Sequence, residues 1–169
     1  YVLLGRMAYF RREVDEAMEL LDKAIELDPG SAGPRAHNQM GAIHFAEARF
    51  EEARQAYRRA IEIDGLNGEA HDGLARILVQ ENRLEEAKRE LVLALRFTPT
   101  NTRGLATLGG IFSDEGDQEM AQQVLNRALE ITPKLGFALN NLGLTYRRQG
   151  KLDLAEAKYK EAMSCAPRL

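Results

Sequence analysis

The sequence predicts an all-α protein, an α-solenoid of five helix–turn–helix repeats, and three observations carry that expectation. Ala, Leu, Glu and Arg, all strong helix formers, dominate a chain of 169 residues that holds only five Pro. Most of those prolines recur at a fixed spacing. Between them the apolar residues return every three or four positions, which lays one stripe along a helix.

The repeat emerges when the chain is laid on itself. Pro29, Pro99, Pro133 and Pro167 each close an apolar run with an Ala five residues earlier, at Ala24, Ala94, Ala128 and Ala162. The last three prolines are 34 residues apart, and Pro29 to Pro99 is 70, two periods and two residues. Gly65 takes the missing place, with Ala60 five residues before it. This frame gives a single array over 1–169, with repeats 1–31, 34–67, 68–101, 102–135 and 136–169 and Ala32-Gly33 as a two-residue insertion. Its columns are chemically uniform: Leu4, Met40, Leu74, Leu108, Leu142; then Gly5, Gly41, Ala75, Gly109, Gly143; then Ala17, Ala53, Ala87, Ala121, Ala155; then Leu21, Tyr57, Leu91, Leu125, Tyr159.

Each repeat reads as two helices. In the last one, Leu139, Leu142, Gly143 and Tyr146 form the first stripe, and Gln149-Gly150-Lys151 is a turn with Gly150 at the helix C-terminal end. Leu152, Ala155, Tyr159 and Ala162 form the return stripe, which Pro167 stops. The expected spans are 1–11, 14–27, 34–47, 50–63, 68–81, 84–97, 102–115, 118–131, 136–149 and 152–165. Small residues at fixed columns imply close backbone approach, within a pair at the Gly column and within and between pairs at the Ala columns. One pair cannot bury both of its stripes, so the pairs must stack. Repeat four is expected to be softest, because Gly104, Gly109 and Gly110 each cost up to about 1 kcal/mol against Ala in a helix, and Gln118 stands where Val14, Phe50, Leu84 and Leu152 are apolar.

Composition narrows the functional classes. The chain has 23 basic and 26 acidic residues, net −3, so no broad attraction to nucleic acid or anionic lipid is expected. No apolar run approaches the roughly 20 residues that cross a bilayer, so no membrane insertion is expected. One Cys excludes an internal disulfide and fits a reducing, cytoplasmic compartment. The chain opens on Tyr1 without an initiator Met, and so reads as a piece of a longer protein.

Residues that carry chemistry elsewhere have plainer readings here. The ligands of one metal ion converge to within roughly 4 Å of each other. His37 and His71 share a column on successive pairs, on the order of 10 Å apart, and His37 and His44 are separated by about 10 Å along one helix. No metal and no cofactor is therefore expected, and the His37/His71 column reads as partly buried between helices. Cys165 shares a column with Leu27, Ile63, Phe97 and Ile131 and reads as a small hydrophobe, with no His nearby to activate it. Gly104, Gly109 and Gly110 lie inside a helix with no preceding strand, which rules out a phosphate loop. Glu51-Glu52 and Glu85-Glu86 favour the dipoles of the helices they open. No catalytic residues are expected, and the chain reads as a non-enzyme.

The columns resemble the tetratricopeptide repeat family, whose pattern W-x2-L-G-x2-Y…A-x3-F…A…P is matched in repeat five by Leu139, Leu142, Gly143, Tyr146, Ala155, Tyr159, Ala162 and Pro167. The resemblance covers essentially the whole chain. Trp is absent, Gly65 replaces Pro, Ala8 and His44 stand at the Tyr column, and Gln118 interrupts an apolar one. The resemblance implies a right-handed superhelix whose first helices line a concave groove for a protein or peptide partner. Carried over position by position, the groove stripe is Val2, Arg6, Tyr9 and Phe10; Arg35, Asn38, Ala42, Phe45 and Ala46; Glu69, Asp72, Arg76, Val79 and Gln80; Arg103, Ala106, Gly110, Ser113 and Asp114; and Phe137, Asn140, Leu144, Arg147 and Arg148.

That stripe holds six Arg against three acids in a chain of net −3. Arg grips carboxylates and stacks on rings, so an acidic partner segment is expected, with Tyr9, Phe45, Val79 and Phe137 as apolar anchors. One family subtype clamps acidic C-termini with Lys and Asn. Those residues would fall at Val2 and Arg6, or at Asn38 and Ala42, and neither pair fits, although Asn141 keeps the consensus Asn. Four classes of function stay open: a partner-binding scaffold, a self-associating assembly element, a targeting arm of a larger enzyme, and a pentatricopeptide-type RNA binder. The 34-residue period and the acidic balance argue against the last. Uncapped ends imply either further repeats in the full-length protein or self-association end to end, because α-solenoid termini need polar faces and the outermost helices here carry Leu3, Leu4, Leu152, Leu154 and Met163.

Overall fold

In the computed structural model, which describes residues 1–165, the five repeats appear as ten α-helices, with no β-strand among the described residues. The helices are α1 (Val2–Phe10), α2 (Val14–Leu27), α3 (Ala32–Ala46), α4 (Phe50–Ile63), α5 (Gly68–Gln80), α6 (Leu84–Phe97), α7 (Thr102–Glu115), α8 (Gln118–Ile131), α9 (Gly136–Arg148) and α10 (Leu152–Ser164). Nine of the ten begin and end within a residue of the expected spans. The expected stop at Pro167 lies outside the described residues. The chain falls into two units, Tyr1–Phe97 and Thr98–Leu169. In the first, α1 packs on α2, α3 on α4 and α5 on α6, while α2 meets α3, α4 meets α5, and α1, α3 and α5 touch in succession. In the second, α7 pairs with α8 and α9 with α10, joined by contacts of α9 with both α7 and α8.

The largest departure is at α3, which starts at Ala32, two residues early. The insertion is absorbed as an extra first turn rather than a longer loop. Asp28 organises it: its carbonyl accepts from the N–H groups of Ala32 (3.1 Å) and Gly33 (3.0 Å), and its carboxylate accepts from Ser31 N (3.0 Å). Pro34 then sits in the first turn, where a missing N–H forfeits no helical hydrogen bond.

All five pair turns share one geometry. A single residue takes the left-handed conformation: Arg12 (φ 65°), Ala48 (φ 58°), Asn82 (φ 58°), Gly116 (φ 89°) and Gly150 (φ 76°). The next residue's N–H reaches back to a carbonyl five positions earlier, as in Glu13 to Ala8 (3.0 Å), Arg49 to His44 (2.8 Å) and Lys151 to Tyr146 (3.0 Å). This is the Schellman closure that satisfies the last free carbonyls of a helix. Three helix starts are capped by side chains: Asn67 accepts from Ala70 N (3.0 Å), Asn101 from Gly104 N (3.0 Å), and Asp117 from Met120 N (3.1 Å).

The small-residue columns do what the sequence implies. A Cβ built on Gly5 would lie 2.9 Å from Leu21 Cγ, on Gly109 2.6 Å from Leu125 Cγ, and on Gly143 2.7 Å from Tyr159 Cε1. Each contact is between the two helices of one pair. Tyr57 is enclosed from two sides: a Cβ on Gly41 would stand 2.7 Å from its Cε1, and one on Gly73 only 2.3 Å from its Cζ. The Ala columns are closed in the first four repeats, with Ala17, Ala24, Ala53, Ala60, Ala87, Ala94, Ala121 and Ala128 at 0–3 % exposure, while Ala162 on α10 is half-buried.

In repeat four, hydrogen bonds stand where other repeats make apolar contact. Gln118 exchanges the missing apolar contact for hydrogen bonds, donating through Nε2 to Ser113 O (3.0 Å) and accepting from Ser113 Oγ (3.4 Å). Gly110 leaves room for Asn141, whose amide donates to Ala106 O (3.1 Å). In the first unit, Arg54 is 8 % exposed and pairs with Glu81 at the end of α5 (2.5 Å), which links α4 to the next pair.

Two histidines face the seam between α3 and α4 in a shallow pocket with Met40, Glu52, Gln55, Ala56 and Arg59. Burial, reinforced by Arg59 and opposed by Asp22 and Glu62, lowers the His37 pKa below its ordinary 6.5. Burial, with Arg49 and against Glu52, lowers that of His44. His44 Nδ1 is buried without a hydrogen-bond partner. His71 is more deeply set, with Nδ1 2.7 Å from Glu90 Oε2 and its ring 5.9 Å from that of Phe97. Among the described residues no three His, Cys, Asp or Glu side chains are grouped to hold a metal ion.

Two outcomes follow. Gly73→Ala gains up to about 1 kcal/mol of helix propensity but drives a methyl into the Tyr57 ring, an overpacking cost of about 1–3 kcal/mol. Urea denaturation should therefore show net destabilisation, whereas Gly65→Ala, whose added Cβ meets nothing within 4 Å, should stay within about 0.5 kcal/mol of wild type. Equal effects would refute the close approach at Tyr57. For His37 and His44 the sign is set by their lowered pKa values: around pH 6 the unfolded chain binds more protons than the folded one. Stability should thus be fullest above pH 6.5 and fall as pH drops below it. The double variant His37→Gln/His44→Gln should flatten that fall, and an unchanged slope would contradict the assignment.

Candidate binding surface

The candidate surface is the first-helix stripe of each pair, taken here unit by unit. In the first unit it begins on α1 with Arg6, fully exposed, and Tyr9, half-buried with its ring centroid 6.5 Å from that of Phe10. On α3 Arg35 is exposed, but Asn38 is only 5 % exposed. Its Nδ2 donates to Asn67 Oδ1 (2.9 Å) and to Glu69 Oε2 (3.2 Å). Asn67 is the residue that caps α5, so Asn38 secures the start of the following pair. Asp72 is also buried, at 9 % exposure. These two expected groove residues lie mainly inside the packing between helices, because their place on the stripe is also the line along which successive first helices touch.

Further along the same helices lies the most ordered part of the stripe. Phe45 is half-buried at the end of α3 and meets the ring of Phe50 edge-on, with centroids 5.5 Å apart and planes at 62°. The guanidinium carbon of Arg76, from α5, stands 4.1 Å from the centroid of the same ring. Val79 follows one turn after Arg76 and is half-buried. The sequence marked Phe45 and Arg76 separately; that they stack, and that Phe50 fixes the ring from beneath, came only with the structure.

In the second unit, Arg103 on α7 and Asn140 and Arg147 on α9 are exposed, and Phe137 is 50 % exposed. Arg148 is engaged within the fold: Nη2 pairs with Asp114 Oδ1 (2.7 Å) and Nη1 donates to Ser113 Oγ (3.2 Å). The positive surplus of the stripe therefore rests on Arg6, Arg35, Arg76, Arg103 and Arg147, and none of these five forms an ion pair among the described residues. Among the described residues, too, no helix is long and apolar enough to cross a membrane.

Comparison with known proteins agrees with this architecture. Models of the tetratricopeptide repeat match residues 44–109, residues 136–169, and residues 1–31 and 102–135. Stress-induced-phosphoprotein 1 of Caenorhabditis elegans is 37% identical over 60 residues, which is 36% of this chain and 18% of that protein, so the chain spans under a fifth of its relative's length. Among solved structures, pilF of Pseudomonas aeruginosa is similar with a TM-score of 0.84 at 22% identity, covering 100% of this chain and 76% of that one. MamA gives 0.73 at 19% identity over 95% and 93% of the two chains. YrrB, described as a TPR protein with an unusual peptide-binding site, gives 0.68 at 22% identity over 99% and 85%. At these identities the structural likenesses speak to the fold, and the repeat models, which together cover residues 1–31 and 44–169, speak to the family: the chain belongs to the tetratricopeptide repeat family.

Proposed function

We propose that this chain is a non-catalytic module that holds a protein or peptide segment of acidic character along the first-helix faces of its repeats. Tetratricopeptide repeat proteins in general mediate protein–protein interaction, and YrrB is described as having a peptide-binding site. The observation that carries the acidic reading is the set of five stripe arginines without a carboxylate partner among the described residues, in a protein whose net charge is −3. Unpaired guanidinium groups beside Tyr9, Phe45, Val79 and Phe137 offer both charge and apolar contact to an extended segment.

A second reading, self-association, is favoured by α1. Leu3 and Met7 are 66% and 57% exposed, whereas the residues in the column of Met7, namely Ile43, Ile77 and Ile111, are 0–3 % exposed. A face that other pairs bury is thus open on this one.

Two measurements separate these readings. Fluorescence anisotropy with a labelled peptide rich in Asp and Glu, against its Asn/Gln counterpart, should show at least about tenfold tighter binding of the acidic form. The double variant Arg76→Glu/Arg103→Glu should remove that preference with helicity and melting unchanged. Equal affinity of the two peptides, or affinity insensitive to salt, contradicts an acidic partner. Light scattering should show concentration-dependent growth that Met7→Glu suppresses if copies associate through α1; a constant monomer mass at all concentrations refutes the second reading.

A further inference from the structure

The geometry points to a mixed subsite between α3 and α5 that takes an aromatic side chain adjacent to a carboxylate in the bound segment. This rests on the proposed binding function and narrows its ligand. Arg76 lies with its guanidinium carbon 4.1 Å from the centroid of Phe45, and Phe45 is braced by the edge-on ring of Phe50 at 5.5 Å. Arg76 is half-buried with its guanidinium over the Phe45 ring, so part of that flat group still meets solvent, where a second ring can cover it. Guanidinium faces are weakly hydrated, and an aromatic partner covers one at little desolvation cost. The five N–H donors lie in the plane, at right angles to both faces, and no described side chain accepts from them. They are therefore open to a carboxylate arriving from the side, in the forked geometry that Arg favours. A ring on the face and a carboxylate on the edge do not compete for the same space.

The pairing occurs once in the chain. It needs an aromatic residue in the Tyr9, Phe45, Val79, Ser113, Arg147 column and an Arg in the Arg6, Ala42, Arg76, Gly110, Leu144 column of the next pair, and only Phe45 with Arg76 meets both conditions. Ala42, one turn before Phe45, and Val79, one turn after Arg76, are half-buried apolar residues along the same helices. The ring beneath is preorganised, so little side-chain freedom remains to be lost on binding.

The test uses three labelled peptides of equal length and charge around a central Asp: one with Phe beside the Asp, one with Leu, and one with Ala. On the whole chain, the Phe peptide should bind at least about fivefold tighter than the Leu peptide, which is equally apolar but cannot stack. Arg76→Lys, which keeps the charge but loses the plane, should bring the Phe and Leu peptides together while acidic peptides retain their lead over Asn/Gln versions. Phe45→Leu should do the same, with melting used to confirm that the α3–α4 packing survives; if it does not, Arg76→Lys decides alone. Equal binding of the Phe and Leu peptides by the wild-type chain, or a Phe preference that survives Arg76→Lys, overturns the subsite and leaves the acidic-partner reading standing. Binding of none of the acidic peptides overturns both.

Discussion

The structure depends on how closely the two helices of each pair approach. In four of the five pairs the residue beneath the large side chain of the second helix is Gly, and an added Cβ there would lie 2.6–2.9 Å from Leu21, Tyr57, Leu125 or Tyr159; in the third pair Ala75 holds that column opposite Leu91. Glycine inside a helix costs up to about 1 kcal/mol against alanine, and this chain accepts that penalty at Gly5, Gly41, Gly109 and Gly143. The compensation is a pair tight enough to bury Leu21 and Leu125 completely. Tyr57 carries the constraint furthest, since its ring is larger than a leucine side chain and needs Gly41 within its own pair and Gly73 in the next. The ring therefore sets the spacing within the second pair and the spacing to the third at once.

Once the spacing is fixed, the polar groups caught between helices must be satisfied. Asn38 donates to Asn67 and Glu69, and Asn67 caps α5, so one buried amide chain fixes how the third pair begins. Arg54 does the corresponding work at the far end of α5 through Glu81, whose pKa is lowered chiefly by its hydrogen bond with Arg54. A buried cation stripped of its partner is strongly destabilising, so both ends of α5 are tied to the pair before it. The consequence for binding is rigidity where the stripe matters: Arg76 sits between these two ties, and its guanidinium rests on a ring that is itself held by Phe50.

Much of this was legible in the sequence because a repeat reports each column five times. The helix spans, the close-packed Gly and Ala columns and the burial of the His71 column follow from periodicity and side-chain size alone. Three kinds of feature were not legible. Ala32-Gly33 joined α3 because Asp28 supplied the acceptors for an extra turn, and an insertion does not announce which neighbour absorbs it. Arg12, Ala48 and Asn82 occupy left-handed positions that only Gly116 and Gly150 advertise, since the repeated turn imposes its conformation even on residues that resist it. Asn38 and Asp72 were placed in the groove by analogy of column but lie inside the packing, while Arg148 is occupied by Asp114. Column arithmetic gives the side of a helix, and it does not show which polar groups have already found partners within the fold.

The central claim is that the first helices, and not the second, receive the partner. Amide chemical-shift mapping of the labelled chain with an acidic peptide tests it directly, because every backbone N–H reports its own surroundings. The account predicts that titration shifts concentrate on α1, α3, α5, α7 and α9, strongest around Phe45 and Arg76, with α2, α4, α6, α8 and α10 nearly unmoved. Shifts centred on the second helices, or spread evenly over both sets, would contradict it.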